Sequence, residues 1–512
     1  MKTRNIVFGV LGAALLFWSC EPNEPDSTYV NTAPVIKNQS FNVKEDIDNT
    51  YIIGQVTATD EVDNDKITFS ITSDDSGLFE ISPSGNLSLI QSNSLNFDIA
   101  DKHTFTVRAY DGIVGRSAEI TVNVEKPDPT IVLDFDSLEL YTGEMATLTA
   151  TTTNADELTI EWTSNNEAIA KVDENGNVNT LNAGIVEITA TVGNASASST
   201  ITVNPNVYIA GFETIGNISN AVLWKNGNLA TLASGNSKAN SVFVDKDNNV
   251  YVAGYEFING VKTALLWKND EDPIVLSNGN GGGAEANAIF VDDTGTTFVA
   301  GNEANNGVFN AMLWRNQVGN TISDGLTSAN AFDVFLDGND VYLVGRQRVE
   351  NENFSKAKLW VNDNVDVDLT DGSSQAEAFS IYVDNGSYYI SGYQYIGGSK
   401  AMLWQNNNQS TALTNINLGA ANSVVVNGSD IYVGGTQTVS QSLDYLPTVW
   451  INGSPSPVAD SGSVRSVFIY GTDIYLAGYE APNFNTGIAR LWVNGESTDL
   501  GFEGQGESVF VK

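Results

Sequence analysis

Thiol and imidazole chemistry is nearly absent from this chain of 512 residues, which holds a single cysteine, Cys20, and a single histidine, His103. Neither falls in the C-terminal three-fifths, so a serine or cysteine nucleophile with a histidine base is unavailable there. Carboxylates are the abundant reactive groups. The 62 acidic residues outnumber the 24 basic ones and give a formal charge of −38. A surface of that sign repels a phosphate backbone and forfeits counterion release, which excludes nucleic acid as a partner. It suits solubility and the attraction of divalent cations. Two carboxylates such as Asp333 and Glu507 could act as acid and base on a sugar bond if the fold brought them within reach of each other.

Cys20 follows a basic start (Lys2, Arg4) and an apolar run from Ile6 to Trp18, which is the pattern of a secretory signal. The run is too short to cross a membrane as a stable helix. It resembles a bacterial lipoprotein signal. That resemblance implies removal of residues 1–19, diacylation of Cys20 through sulfur and acylation of its nitrogen. More than one acyl chain makes a lasting anchor, so the protein is expected in the bacterial cell envelope, on the outer membrane and facing the exterior. Residues 20–30, acidic and Pro-containing, then read as an extended tether. With Cys20 on lipid, no thiol remains for disulfides or metal.

The elements that must position any site read as strands throughout. Short runs alternate apolar and polar residues between Asp, Asn and Gly, and no long run has the spacing of an amphipathic helix. A chain this long needs several domains. Residues 31–128 contain, in order, Ala58-Thr59-Asp60, Gly85-Asn86-Leu87, Leu95-Asn96-Phe97-Asp98 and Ala109-Tyr110-Asp111. This series resembles a cadherin repeat. Cadherins gather calcium from both ends of adjacent repeats, and calcium takes six to eight oxygens. By that resemblance Asp60 and Asp111 would serve one end, with Asp63 or Asp65 standing in for Val62, while Glu45 and Asp98 would serve the other. The alternative is that these carboxylates are solvated turn residues. His103 lies on an alternating strand and reads as a sandwich side chain.

Residues 130–204 carry Trp162, Ala170, Val172, Gly176, Val178, Gly184 and Ile188 at the positions of a group 2 bacterial immunoglobulin-like module, which they resemble. Trp162 is expected to fill the sandwich centre and Asn175-Gly176 to make a tight hairpin turn.

From residue 206 to 512 a unit recurs. A strand like Val-Tyr-Val-Ala-Gly has its second residue at Tyr208, Tyr251, Phe298, Tyr342, Tyr389, Tyr432 and Tyr475, spaced by 43, 47, 44, 47, 43 and 43. Seven of the nine tryptophans, from Trp224 to Trp492, each stand two residues before an asparagine. Four short strands in such a period match a propeller blade. The region opens on a second strand and ends on a spare first strand, so the fold class expected is all-β: two tandem β-sandwiches, then a seven-bladed β-propeller closed by pairing of its N- and C-terminal strands.

A Glu or Gln two residues after each strand-ending glycine, Glu213 being the first, is expected to bond to backbone. Positions that vary between units are the better site candidates, because recognition breaks symmetry. At the start of the leading strand stand Asn240, Asn287, Phe332, Phe379, Asn422, Arg465 and Glu507. Amides, aromatic faces and an arginine suit sugar or peptide. The function expected is a monomeric surface lipoprotein that binds glycan or protein for adhesion or nutrient capture, with calcium in its stalk. The alternatives are an exported lyase or glycosidase and a structural envelope component. No catalytic residue is assigned.

Overall fold

Alternating sequences build an all-β molecule with many separate sheets and, among the described residues, no helix. The computed structural model describes residues 30–512 except 62–64, 157, 278–281, 363–364, 407–408, 415–417, 439–444 and 484–485. Cys20 and Asp63 lie outside the described residues. Two compact bodies divide the chain: one holds the residues up to Asp136 with Leu148–Thr163 and Thr189–Ser198, the other Ser137–Thr147, Ser164–Ile188 and Ser199–Lys512.

In the first body, strands Gln39–Lys44, Gly115–Glu125, Lys102–Tyr110 and Thr68–Ser73 form one sheet in that order, and Gly54–Gln55, Asn86–Leu89 and Phe79–Ile81 form another. Period-2 alternation turns Phe105, Val107 and Ala109 inward on one strand and Ile120, Val122 and Val124 inward on its neighbour. They close on Leu87, Leu89 and Phe79 to make the core, each large side chain contributing roughly 1.5–3 kcal/mol by leaving water. His103 packs edge-on against Phe79, ring centroids 5.5 Å apart. A second cluster gathers Ile131, Ala190 and Val192, with Trp162 packed on it. Trp162 is only half-buried, because its strand, Glu161–Ser164, is an edge strand and one flank of the indole stays open.

In the second body, Ser137–Tyr141 runs parallel to 200–204, and Met145–Thr147, Asn177–Thr180 and Ala170–Val172 form a small sheet. The expected turn at Asn175-Gly176 spans Asp173 to Gly176. Gly176 alone has positive φ, +78°, and the Asp173 carboxylate takes the amides of Asn175 and Asn177 at 2.9 Å.

Beyond residue 206 the recurring unit is a four-stranded antiparallel sheet. Five such sheets stand alone, with leading strands Ser237–Val244, Ala284–Val291, Ala329–Asp337, Ala376–Asp384 and Gly419–Asn427. The remaining strands form one sheet of seven, because Glu496–Val511 serves twice. Its first half pairs with Thr486–Val493, completing the repeat led by Gly462–Tyr470. Its second half pairs with Val207–Ile215, placing Phe510 opposite Tyr208 and Val509 opposite Ile209. The first repeat thus takes its leading strand from the end of the chain.

The Trp-x-Asn signature has a local cause. In every repeat the asparagine side-chain oxygen accepts the N–H of the residue before the Tyr or Phe marker, from Val207 to Asn226 at 2.8 Å through to Ile474 to Asn494 at 2.9 Å. Asn226-Gly227, Asn452-Gly453 and Asn494-Gly495 all have positive φ at both residues, as type I′ hairpins require. The tryptophans are almost fully buried, each removing about 150–250 Å² from water. Glycines in the middle of the second strands make room for them. A Cβ at Gly254, Gly301 or Gly392 would come within 2.9, 2.8 or 2.9 Å of the ring of Trp267, Trp314 or Trp404.

Leading strands of successive repeats pack side by side in cyclic order, the last against the first. Hydroxyls stitch them together: Ser508 accepts the amide of Val242, Ser241 that of Ile289, Ser380 that of Val424, Ser423 that of Val467 and Ser466 that of Val509, at 3.1 to 3.3 Å. Asp333 does the same for Ile381 at 2.9 Å. Ala288 has no hydroxyl to offer Val334, and the other oxygen of Asp333 takes that amide at 2.9 Å. Two residues further along each strand, Phe510, Phe243, Phe290, Phe335 and Tyr382 touch in succession with centroids 5.0 to 5.5 Å apart, and Phe468 reaches Phe510 at 4.9 Å. Val425 stands at the remaining position.

Candidate functional site

The cadherin-like carboxylates fall into two groups with different surroundings. Asp60 follows the short strand Ala58–Thr59, Asp111 follows Lys102–Tyr110, and both are buried. Asp111 accepts the amides of Ile113 and Val114 at 2.7 Å and the Asn31 side-chain amide at 2.8 Å. Burial pushes its pKa up, but these bonds outweigh burial and hold it below the ordinary value. The oxygen of the Asn31 amide is buried with no hydrogen-bond partner, an acceptor of the kind a hard cation takes. Asn31 went unnoticed in the sequence because it lies 80 residues from Asp111 and no local pattern links them.

At the other end Glu45 accepts the Phe97 amide at 2.6 Å. Asp98 pairs with Lys126 at 3.0 Å, and Asp128 with Lys44 at 2.7 Å. Ammonium groups thus stand beside the carboxylates at this end. Carboxylate and amide oxygens of Asp111 and Asn31, joined at 2.8 Å, are of the type calcium takes, whereas an ammonium group stands 3.0 Å from Asp98. Among the described residues no three His, Cys, Asp or Glu side chains converge as a metal site.

The seven varied positions of the repeats sit where each leading strand bulges, and most reach toward the following repeat. Asn240 donates to the carbonyl of Ala286 at 2.9 Å, Asn287 to that of Ala331 at 2.7 Å and Asn422 to that of Val464 at 2.7 Å. Phe332 meets Phe379 edge-on at 5.6 Å. Arg465 lies 4.0 Å from Glu507, and Glu507 lies 3.0 Å from Lys238. Burial raises the pKa of Glu507, but the charges of Lys238 and Arg465 outweigh burial and hold it below the usual value. Asp333, with both oxygens on backbone amides, is committed to the seam between strands.

The repeated Glu or Gln was expected to bond to backbone. At several of these positions the partner is a side chain instead: Asn220 with Glu213 at 3.4 Å, Asp324 with Gln347 at 2.8 Å, and Arg490 with Glu480 at 3.1 Å. The reason is geometric: a carboxylate needs a donor, and the strand ladder already pairs the backbone groups around these residues.

Beside Asn422 and Arg465 the surface dips into an open cavity of about 330 Å³, walled by Phe379, Tyr393, Tyr445 and Tyr479. Tyr393 is held by its hydroxyl, 3.3 Å from Glu377, which in turn pairs with Arg346 at 2.5 Å. All four rings stand on strands; Phe379 was among the varied positions read from the sequence, and nothing in the sequence shows that the other three gather beside it.

Comparison with known proteins identifies the two N-terminal domains. Residues 39–125 match the cadherin domain model, and residues 130–203 match the bacterial Ig-like domain (group 2) model. Both are domains of extracellular or surface proteins, and the architecture is of adhesion type. Among solved structures, the chain is similar to EC1-2 of human protocadherin-24, with 16% identity over 34% of this chain and 100% of that one and a TM-score of 0.21. EC1-3 of Drosophila N-cadherin shares 18% identity over 34% of this chain and 68% of that one, TM-score 0.17. EC22-24 of mouse cadherin-23 shares 16% over 48% and 95%, TM-score 0.21. No curated protein matches the chain.

Proposed function

We propose that this chain is a bacterial surface lipoprotein anchored through Cys20, in which the two sandwiches form a stalk and residues 206–512 form a closed seven-bladed β-propeller that binds an extracellular glycan. The cyclic order of the leading strands and the pairing of Val207–Ile215 with the end of the chain support the closed ring. One observation carries the binding role: a shallow aromatic depression opens beside the varied positions, while the nearby carboxylates Glu377 and Glu507 are paired with cations and Asp333 is bonded to backbone. A hydrolase needs two carboxyl groups free to exchange protons with substrate. Aromatic faces and amides instead hold a ligand without altering it.

The Asn31, Asp60 and Asp111 end is proposed to take calcium and stiffen the stalk. The test of function is a glycan array probed with full-length protein in detergent, with and without calcium. Reproducible binding to a glycan class that a Tyr393→Ala, Tyr479→Ala double variant loses supports the reading. Turnover of the bound glycan, or binding to protein ligands alone, overturns it.

A further inference from the structure

Arg465 is an underused cation. A guanidinium carries five N–H donors in a planar fork. Here one donor reaches Gln505 at 3.2 Å, Glu507 stands off at 4.0 Å, and the Nε–H is buried with no hydrogen-bond partner. The guanidinium lies 5.5 Å from the centroid of the Tyr479 ring and lines the same cavity as Phe379, Tyr393 and Asn422. Glu507 does not neutralise it alone, because Lys238 is its closer partner at 3.0 Å. Two cations therefore share one carboxylate, leaving one positive charge in excess beside the cavity of a chain with net charge −38.

We propose that this cavity binds a carboxylated sugar, a uronic or sialic acid residue, with Arg465 taking the carboxylate. The inference rests on the glycan-binding reading above and names its ligand class. A carboxylate matches the guanidinium fork in two parallel hydrogen bonds, and Arg makes such pairs better than Lys. Rings of Phe379, Tyr393 and Tyr479 offer flat apolar faces to the C–H face of a pyranose. Asn422 is fixed through its Nδ2, which donates to Val464 and Ser463 at 2.7 and 3.1 Å, so its oxygen is the end offered to a sugar hydroxyl. The volume lies at the low end of ligand pockets, about 300–1,000 Å³, which suits a terminal sugar or a short stretch of chain.

The experiment is calorimetric titration of full-length protein in detergent with digalacturonate, with sialyllactose, with neutral digalactose, and with a short peptide ending in a free carboxylate. Expected is at least tenfold tighter binding of one acidic sugar than of digalactose. Arg465→Gln should remove that preference, and Arg465→Lys should restore only part of it. Tyr445→Ala, a change at a half-exposed ring of the same wall, should weaken acidic and neutral sugars alike without lowering the melting temperature. If both Arg465 variants unfold, that variant still ties binding to this cavity, and the parent protein's acidic-over-neutral preference decides the ligand class. Equal affinity for acidic and neutral sugars, or preference for the peptide, overturns the inference. Neutral glycan binding that survives the Arg465 and Tyr445 variants overturns it while leaving the broader glycan reading intact.

Discussion

One oxygen of Asp333 accepts the amide of Ile381 in the following repeat at 2.9 Å, and its other oxygen accepts the amide of Val334 on its own strand at 2.9 Å. Five other leading strands use a serine for the first of these bonds. Burial pushes the Asp333 carboxyl up to about 6, against an ordinary value of 3.8, although the bonds from Ile381, Ser380 and Val334 pull the other way. The folded protein therefore holds this proton more tightly than the unfolded chain does. The stability this confers is complete below pH 3.8 and is lost as pH rises through about 6, at most roughly 3 kcal/mol. Thermal melts of Asp333→Ser between pH 4 and 7 should show a flatter profile than the parent. An unchanged profile would remove Asp333 as the source.

Loss of the terminal strand segment should be far more damaging than its length suggests. Residues 507–512 supply the leading strand of the first repeat and bond through Lys512 to both backbone groups of Asn206, at 2.6 and 2.9 Å. Their deletion exposes two strand edges, which invite aggregation. The truncated protein should be recovered mainly as insoluble material on fractionation, and a soluble monomer with the parent melting temperature would refute the closed ring.

Glycine beneath tryptophan is a steric requirement. In Gly301→Ala the new methyl meets the Trp314 ring and the Glu285 carbonyl, with the ring only 2.8 Å away. Backbone on one side and a fully buried indole on the other leave little room to relax. Overpacking of this kind costs about 1–3 kcal/mol, to be read from chemical denaturation. Gly227→Ala meets open space in contrast, and its cost would come from φ +89° alone.

The calcium proposal predicts that chelation lowers the melting temperature of the full-length protein and that Asp111→Asn abolishes the shift. Asp98→Asn, at the end occupied by lysines, should leave the shift in place. Differential scanning calorimetry separates these outcomes, and a shift that tracks Asp98 would reverse the assignment of ends.

Strands and repeat markers were legible because they recur or alternate. Tyr208, Trp224 and their counterparts announce themselves by spacing, and inward residues such as Val107 and Ile120 follow the period of two. The role of Asn226 was not legible, since its spacing from Trp224 was visible but its bond to Val207 joins residues 19 apart. Trp162 reads as a core residue by type but is half-buried because its strand lies at an edge, which the sequence does not reveal. The side-chain partners of Glu213 and Gln347 lie on neighbouring strands and loops, where only the folded register brings them together. The same applies to Arg465, whose spare donors become visible only once Gln505 and Glu507 are placed beside it.

The double use of Glu496–Val511 and the pairing of Asn206 with Lys512 have a mechanical consequence. A pull delivered along the chain toward residue 206 does not reach a free strand end. It meets Val207–Ile215 and, through the two bonds between Asn206 and Lys512, the opposite end of the polypeptide at the same point. Tension is divided between two strands that are themselves bonded along their length, so the first repeat resists being peeled away from either side. On the surface-anchored reading proposed above, the place where the chain enters the repeats would also be the place where it is tied off.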